Sequence, residues 1–345
     1  MKSDATWRDV VRPAEAIRAN AIRILRDVCG VRNGESVLVV TDSGRPPTVA
    51  FALYEAALEC GGSPALVVME PPKHAGGAEL PETVNAALLS ADLILGPTSK
   101  TIFYAKSVQA ACRESGRARF VALSECDEET LTAGGIEADF YKLQPVLDGV
   151  LERFNKGRTI HFSTGAGTEL SASIEGRDGR KSSGLCLRPG DMTGLPTVEV
   201  FIAPNEASVN GTIVADASAS GGIGILHEPI RITIEDGRAR NIQGGREAAQ
   251  LERLLADSAA PESYQVAELA VGLNPQCRIT GKIIEDEGKY GTCHMALGTN
   301  VAFGGTNSAP LHIDLVQWRP TVAIDDEILM EEGHLRSAQL RELME

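Results

Sequence analysis

Apolar side chains recur at helical spacing over residues 13–29, where Ala14, Ile17, Ala21, Ile24, Leu25 and Val28 line one face, and Arg32-Asn33-Gly34 then supplies a turn. Past that turn the pattern alternates. Short unbroken apolar runs, SVLVVTD at 36–42, PALVVME at 64–70, ADLILGP at 91–97 and ARFVALS at 118–124, are separated by helical stretches near 47–60, 81–90 and 103–115. A strand that is apolar at every position leaves no face for water, so it belongs in a parallel sheet covered by helices on both sides. The pattern predicts a doubly wound parallel α/β domain over residues 1–156. The segment after its first strand reads TDSGRPPTVA and has no GxGxxG, so neither NAD nor ATP is predicted.

From residue 157 the texture changes. TIHFSTG, LSASIEG, TVEVFIAP, SVNGTIVAD, IRITIEDG and RARNIQGG are short, partly alternating and punctuated by turn residues. They predict a β-rich α+β domain over residues 157–345, built on an antiparallel or mixed sheet with one covered face. A helix is expected near 246–258 and a charged helix near 334–344; no internal repeat is visible.

Composition narrows the possible partners. A chain of 345 residues with 43% hydrophobic content is long enough for two cores, since a single core stops growing at about 250–300 residues. The net charge of −14 repels phosphate backbones and anionic headgroups, so neither nucleic acid nor a membrane surface is expected as a partner. No apolar run reaches the roughly 18 residues of a spanning helix, and the first residues, MKSDATWRDVVRPAEA, contain no secretory-type run; a cytoplasmic protein is expected. The seven cysteines are scattered, with no CxxC pair, and read as reduced core thiols.

The chemistry-bearing residues lie late in the chain. In LHIDLV, strand alternation turns His312 and Asp314 to one face while Ile313 and Leu315 pack on the other. An isolated HxD is more often a polar surface stripe, but apolar flanks on both sides require a buried charge to be paired or metal-bound. His294 stands in YGTCHMALG, among small apolar residues that offer an imidazole few partners, and the glycine-rich AFGGTNSAP is flexible enough to let it meet the HxD. Glu199 in PTVEVFIAPNE and Glu268 in YQVAELAVGLNP are lone carboxylates inside apolar runs. Either alone would be exposed; together with the histidines and Asp314 they form a nitrogen and oxygen donor set suited to zinc, cobalt or manganese. Cys293 reads as structural, Glu285-Asp286-Glu287 as a solvated turn and reserve ligand source, and His161 and His227 as strand histidines with ordinary partners. His74 reads as a solvent-facing loop residue. No GxSxG elbow is present, and the serines of DASASGG lack a neighbouring base in sequence.

These same pieces, VEVFIAPNEASVNGTIVAD, AELAVGLNP, TCHMALG and LHIDLV in that order, resemble the aminopeptidase T family of metallopeptidases over about residues 195–333. The resemblance implies a homodimeric exopeptidase with two metal ions. It makes Glu199, Glu268, His294, His312 and Asp314 metal ligands, and it leaves Glu268 as the candidate general base for a metal-bound water. On that reading the chain is a hydrolase cleaving a small amide or an N-terminal peptide bond. The family's tyrosine after CHxALG is absent, Phe303 being the nearest aromatic, and little chain separates His294 from His312. A related branch also looks similar, the iron-dependent dioxygenases that open dihydroxypyridine rings. These keep the HxD and the PNE segment but have a histidine where this chain has Glu268, and they lack counterparts of Glu199 and His294. The resemblance implies one Fe(II) and a small-molecule substrate; in this chain a 2-His-1-carboxylate triad can still be formed by His294, His312 and Asp314.

Overall fold

A computed structural model describes residues 11–73 and 80–344; His74 lies outside them. The chain divides into two compact units. One comprises 11–73, 80–137 and 184–195; the other comprises 138–183 and 196–344. The division therefore does not fall at residue 156. The helix Phe140–Lys156 belongs to the second unit, and a later segment returns to the first.

In the first unit, β1 (Ser36–Asp42), β2 (Ser63–Met69), β3 (Leu93–Gly96) and β4 (Arg119–Ala122) pair in parallel in the order β2-β1-β3-β4. The chain returns to add a fifth parallel strand, β8 in chain order (Met192–Gly194), beside β4. Strands β3 and β4 are buried at every position, as their apolar runs require, while β2 at the edge is buried only at Met69. Helices Pro47–Glu59 and Glu82–Ser90 fall where the spacing predicts them. Leu38, Val40, Ile94, Leu88 and Phe120 meet in one core. The first helix runs over Glu15–Arg23 and widens into a π-helical turn at Ile24–Val28.

The named strands of the second unit pair antiparallel. An eight-stranded sheet runs β14-β13-β10-β6-β5-β18-β19-β20, from β5 (Thr159–Ser163), β6 (Glu169–Ser173), β10 (Asn210–Ala215), β13 (Ile230–Glu235), β14 (Arg238–Gln243), β18 (Thr321–Ile324), β19 (Glu327–Glu331) and β20 (His334–Leu335). A seven-stranded sheet runs β12-β11-β17-β16-β15-β9-β7. Its members are β7 (Arg180–Ser182), β9 (Glu199–Ile202), β11 (Ser218–Ala219), β12 (Gly224–Ile225), β15 (Val266–Gly272), β16 (Thr292–Gly298) and β17 (His312–Trp318).

Two expectations change here. The charged segment at 334–344 opens as β20, and only Ala338–Glu342 is helical, capped by the Ser337 side chain. The seven-stranded sheet is also not covered on one face alone, because β15 and β16 are buried at all seven of their positions. Inside it, a hydrogen bond of 2.6 Å between Thr168 Oγ1 and Gln317 ties β17 to the turn before β6. No helix among the described residues is long and apolar enough to cross a membrane.

Candidate metal centre

Strands β17, β16, β15 and β9 lie side by side, and their register decides which side chains share a face. Ala296 on β16 pairs with Glu268 on β15 and with Asp314 on β17, so the two acids flank a small residue in one cross-strand row. His294 lies two positions before Ala296, and His312 two before Asp314, which puts both imidazoles on that face. Glu199 pairs with Gly272, four residues beyond Glu268, and joins the same face from β9. Gly298, paired with His312, has φ +119°, and a Cβ there would lie 2.2 Å from the Leu311 carbonyl oxygen, so only glycine fits this approach of β16 to β17.

All five predicted residues are therefore brought together, and each is less than a tenth exposed. His312 Nε2 lies 3.1 Å from Glu268 Oε2 and 3.2 Å from Asp314 Oδ1. His294 Nε2 lies 3.2 Å from Glu199 Oε2 and 3.7 Å from Glu268 Oε1. Glu268 thus sits between the two imidazoles. Glu199 Oε2 has no polar partner beyond that His294 Nε2 contact, whose geometry is poor for a hydrogen bond, and His294 Nδ1 is buried without one.

Charge in this site is unbalanced. Burial would lower both imidazoles, but the carboxylates beside them prevail and hold His294 and His312 well above the usual histidine value. Burial raises the carboxyls in turn. Glu199 is pushed up to about 7, whereas Glu268 and Asp314 stay below their ordinary values because the imidazoles hydrogen bond to them. Ser220 adds to this at Asp314, its hydroxyl also accepting the Asp314 N–H at 2.8 Å.

Sequence reasoning undervalued two neighbours. Ser220, dismissed with the serines of DASASGG, touches Asp314. The acidic turn is not solvated: Glu285 is 1% and Asp286 0% exposed. Asp286 accepts from Thr280 N at 2.6 Å and Gly281 N at 2.9 Å, while Glu287 reaches the cluster and accepts from Thr197 Oγ1 at 2.9 Å. Burial and the charges of Glu199 and Asp314 push the Glu287 carboxyl well up. A turn of three acids reads as surface in any sequence; only its packing against Thr197, just before β9, and against β11 reveals otherwise.

The remaining candidates are ordinary. His161 pairs with Glu169 at 2.7 Å and His227 with Glu247 at 3.1 Å, both at the surface. None of the seven cysteines is in a disulfide, and burial pushes the Cys293 thiol up, away from the thiolate a metal would need.

Three sets of donors lie mutually within 4.8 Å: Glu199, Glu268 and His294; Glu268, His312 and Asp314; and Glu287, His294 and Asp314. Each set could hold a divalent ion, and none contains both histidines. The triad of His294, His312 and Asp314 considered for a single iron is therefore not one of these groups. Buried acids in excess, imidazole nitrogens and an orphaned carboxylate oxygen together fit a divalent first-row cation.

The fold and the site define a mixed α/β protein with a buried carboxylate–imidazole cluster on an antiparallel sheet. The chain belongs to the NicX 2,5-dihydroxypyridine 5,6-dioxygenase family, whose model matches residues 20–337. It is 27% identical over 192 residues to the 2,5-dihydroxypyridine 5,6-dioxygenase of Pseudomonas putida, a match that spans 52% of this chain and 54%, about half, of that relative. The solved structure of the Pseudomonas putida 2,5-dihydroxypyridine dioxygenase superposes with a TM-score of 0.80 at 21% identity, covering 95% of this chain and 99% of the other. Wild-type AmpT from Thermus thermophilus superposes with 0.68 at 17% identity, covering 93% and 99%. At these identities the two structures share the fold.

This corrects the hydrolase reading. The aminopeptidase is a more distant fold neighbour, and the family that spans the chain is that of a ring-opening dioxygenase, so peptidase, metalloprotease and amide hydrolase activities are set aside. The motifs behind that reading mark a sheet whose fold the two solved structures share, and a nitrogen and oxygen donor set of this kind serves hydrolases and oxygenases alike.

Proposed function

We propose that this chain is a metal-dependent dioxygenase that opens the ring of a small dihydroxylated N-heterocycle. The family match over residues 20–337, coinciding with the five buried donors, carries the reading. Iron(II) is the ion we assign, held by Glu268, His312 and Asp314, with His294 and Glu199 alongside. Once bound, it supplies the one-electron reactivity toward dioxygen that a closed-shell aromatic substrate lacks.

The chain's own side chains do the rest. Glu268, held below the ordinary carboxylate range between two imidazoles, suits a permanently ionised ligand better than a proton acceptor. Glu199 and Glu287 are the carboxyls that burial and the neighbouring acids push upward, which makes them the groups of the cluster best placed to exchange a proton with an acidic ring hydroxyl. Phe303 stands edge-on to the His312 ring, with centroids 6.0 Å apart, and edge-on to Phe201 at 5.4 Å. This apolar wall excludes water beside His312.

Anaerobic loading with Fe(II), followed by oxygen-electrode measurement with 2,5-dihydroxypyridine, tests the proposal. Equimolar oxygen uptake with loss of the ring absorbance is expected, and His312→Ala should abolish both. Full iron loading with no oxygen uptake across a panel of dihydroxypyridines would overturn it.

A further inference from the structure

His312 is aimed by a loop that the sequence presents as flexible. Its Nδ1 lies 2.8 Å from the Thr299 carbonyl oxygen, so it donates there and leaves Nε2 to face Glu268 and Asp314. Phe303, from the same loop, holds the ring's edge. The loop 299–307 is closed on itself: Asn300 N donates to Asn307 O at 3.0 Å, Asn307 N to Asn300 Oδ1 at 2.8 Å, and Gly305 N to Asn300 O at 3.0 Å.

A second layer fastens the loop from outside. Glu206, the acid of the PNE segment, accepts through Oε1 from Thr306 N at 2.7 Å, Thr306 Oγ1 at 3.0 Å and Asn300 Nδ2 at 3.2 Å. Its Oε2 accepts from Arg177 Nη2, and Arg177 Nη1 donates to Gly304 O at 2.6 Å. Arg177 Nε donates to Asn205 Oδ1 at 3.1 Å, so the PNE asparagine orients the guanidinium. The pair is mostly buried, with side chains 15% and 17% exposed, and it grips the loop at residues 300, 304 and 306.

We propose that Arg177 and Glu206 are positioning residues for the metal centre: a buried ion pair that locks the 299–307 loop and thereby fixes the tautomer and direction of the His312 imidazole. The inference rests on the proposed metal centre for its consequence, but its first readout needs no metal. Outer partners that orient a ligating histidine typically carry about 10- to 100-fold in metal affinity.

The test compares Glu206→Ala, Arg177→Ala and the conservative Glu206→Gln with Asp325→Ala. That last variant unties the Arg158 and Thr159 N–H groups in the eight-stranded sheet and serves as the control for general destabilisation. In the metal-free protein, imidazole NMR should show a slowly exchanging His312 Nδ1–H. The signal should be lost in the two alanine variants and kept in Asp325→Ala. Cobalt(II) titration should show binding weakened about 10- to 100-fold in the alanine variants, less in Glu206→Gln, and unchanged in the control. If Glu206→Ala does not fold, Thr306→Val removes one of its donors and should give the same changes at smaller size. A wild-type His312 signal and cobalt affinity in folded Glu206→Ala or Arg177→Ala would overturn the proposal, as would an equal loss in Asp325→Ala. Absence of oxygen uptake by wild-type protein would sink the dioxygenase reading while leaving these two readouts standing.

Discussion

Each unit of this protein buries charge, and the two do so in opposite ways. In the α/β unit, Arg119 on β4 is 3% exposed and meets Glu35 in a two-pronged contact, Nη2 to Oε2 at 2.9 Å, with Nη2 also donating to the Cys29 carbonyl oxygen at 2.9 Å. One cation answers one anion. Against burial, Arg119 holds the Glu35 carboxyl below its ordinary value. On the seven-stranded sheet, Glu199, Glu268 and Asp314, with Glu287 beside them, face two imidazoles, and a carboxylate oxygen is left without a hydrogen bond. A balanced buried pair is neutral as it stands, even with Arg119 Nε left without a hydrogen bond. A surplus of buried acid is incomplete until a cation or protons make up the difference.

The comparison breaks most sharply at Glu35. Glu35→Ala strands a buried guanidinium and should cost about 3–5 kcal/mol in urea unfolding, with or without metal, while the double change Glu35→Leu with Arg119→Met should recover most of that loss. If the double variant is as unstable as the single one, the pair is more than a charge balance. Glu199→Gln should do the reverse at the other site. Removing a surplus charge should leave the metal-free protein about 1 kcal/mol more stable above pH 7, as expected where function is held against stability. Metal affinity, read by titration, should fall by about 100-fold or more, beyond the loss of an outer partner. A Glu199→Gln protein that binds metal normally would remove that residue from the centre.

A pH series sharpens the contrast further. Glu199 and both histidines have raised folded-state values, so their contribution to stability is present at low pH and is lost on raising it. The Glu199 part goes between about 4.5 and 7 and the histidine part from about 6.5 upward. Asp314 and Glu268 are depressed and act oppositely, their share being lost as pH falls below about 4. Calorimetry of the metal-free protein should therefore show the melting temperature declining on the alkaline side. Added Fe(II) under anaerobic conditions should cancel that decline, by a margin that grows with pH because binding must displace imidazole protons. A flat alkaline profile would contradict the charge surplus.

How far the sequence spoke depends on whether a feature is local. The unbroken runs of β1, β3 and β4 report burial on both faces, and the helices between them lie where their spacing places them. Phe140–Lys156 carries a continuous apolar face of Phe140, Leu143, Val146, Leu147, Val150 and Phe154, but Pro145 and Gly149 within it read as helix breakers, and β8 is too short at three residues to carry a period. The loop AFGGTNSAP reads as flexible from its glycines, yet Asn300 and Glu206 hold it with hydrogen bonds whose partners lie far apart in sequence.

The sequence by itself determined the α/β character and pointed to the five late residues that meet in one buried cluster, because a charged side chain inside an apolar strand announces a need for a partner wherever it lies. Only the tertiary structure decided which acids share which imidazole, that Glu268 lies between both, and that Glu287 and Ser220 join them. Those facts depend on the register of β9, β15, β16 and β17, and register is set by pairings between segments far apart in the chain.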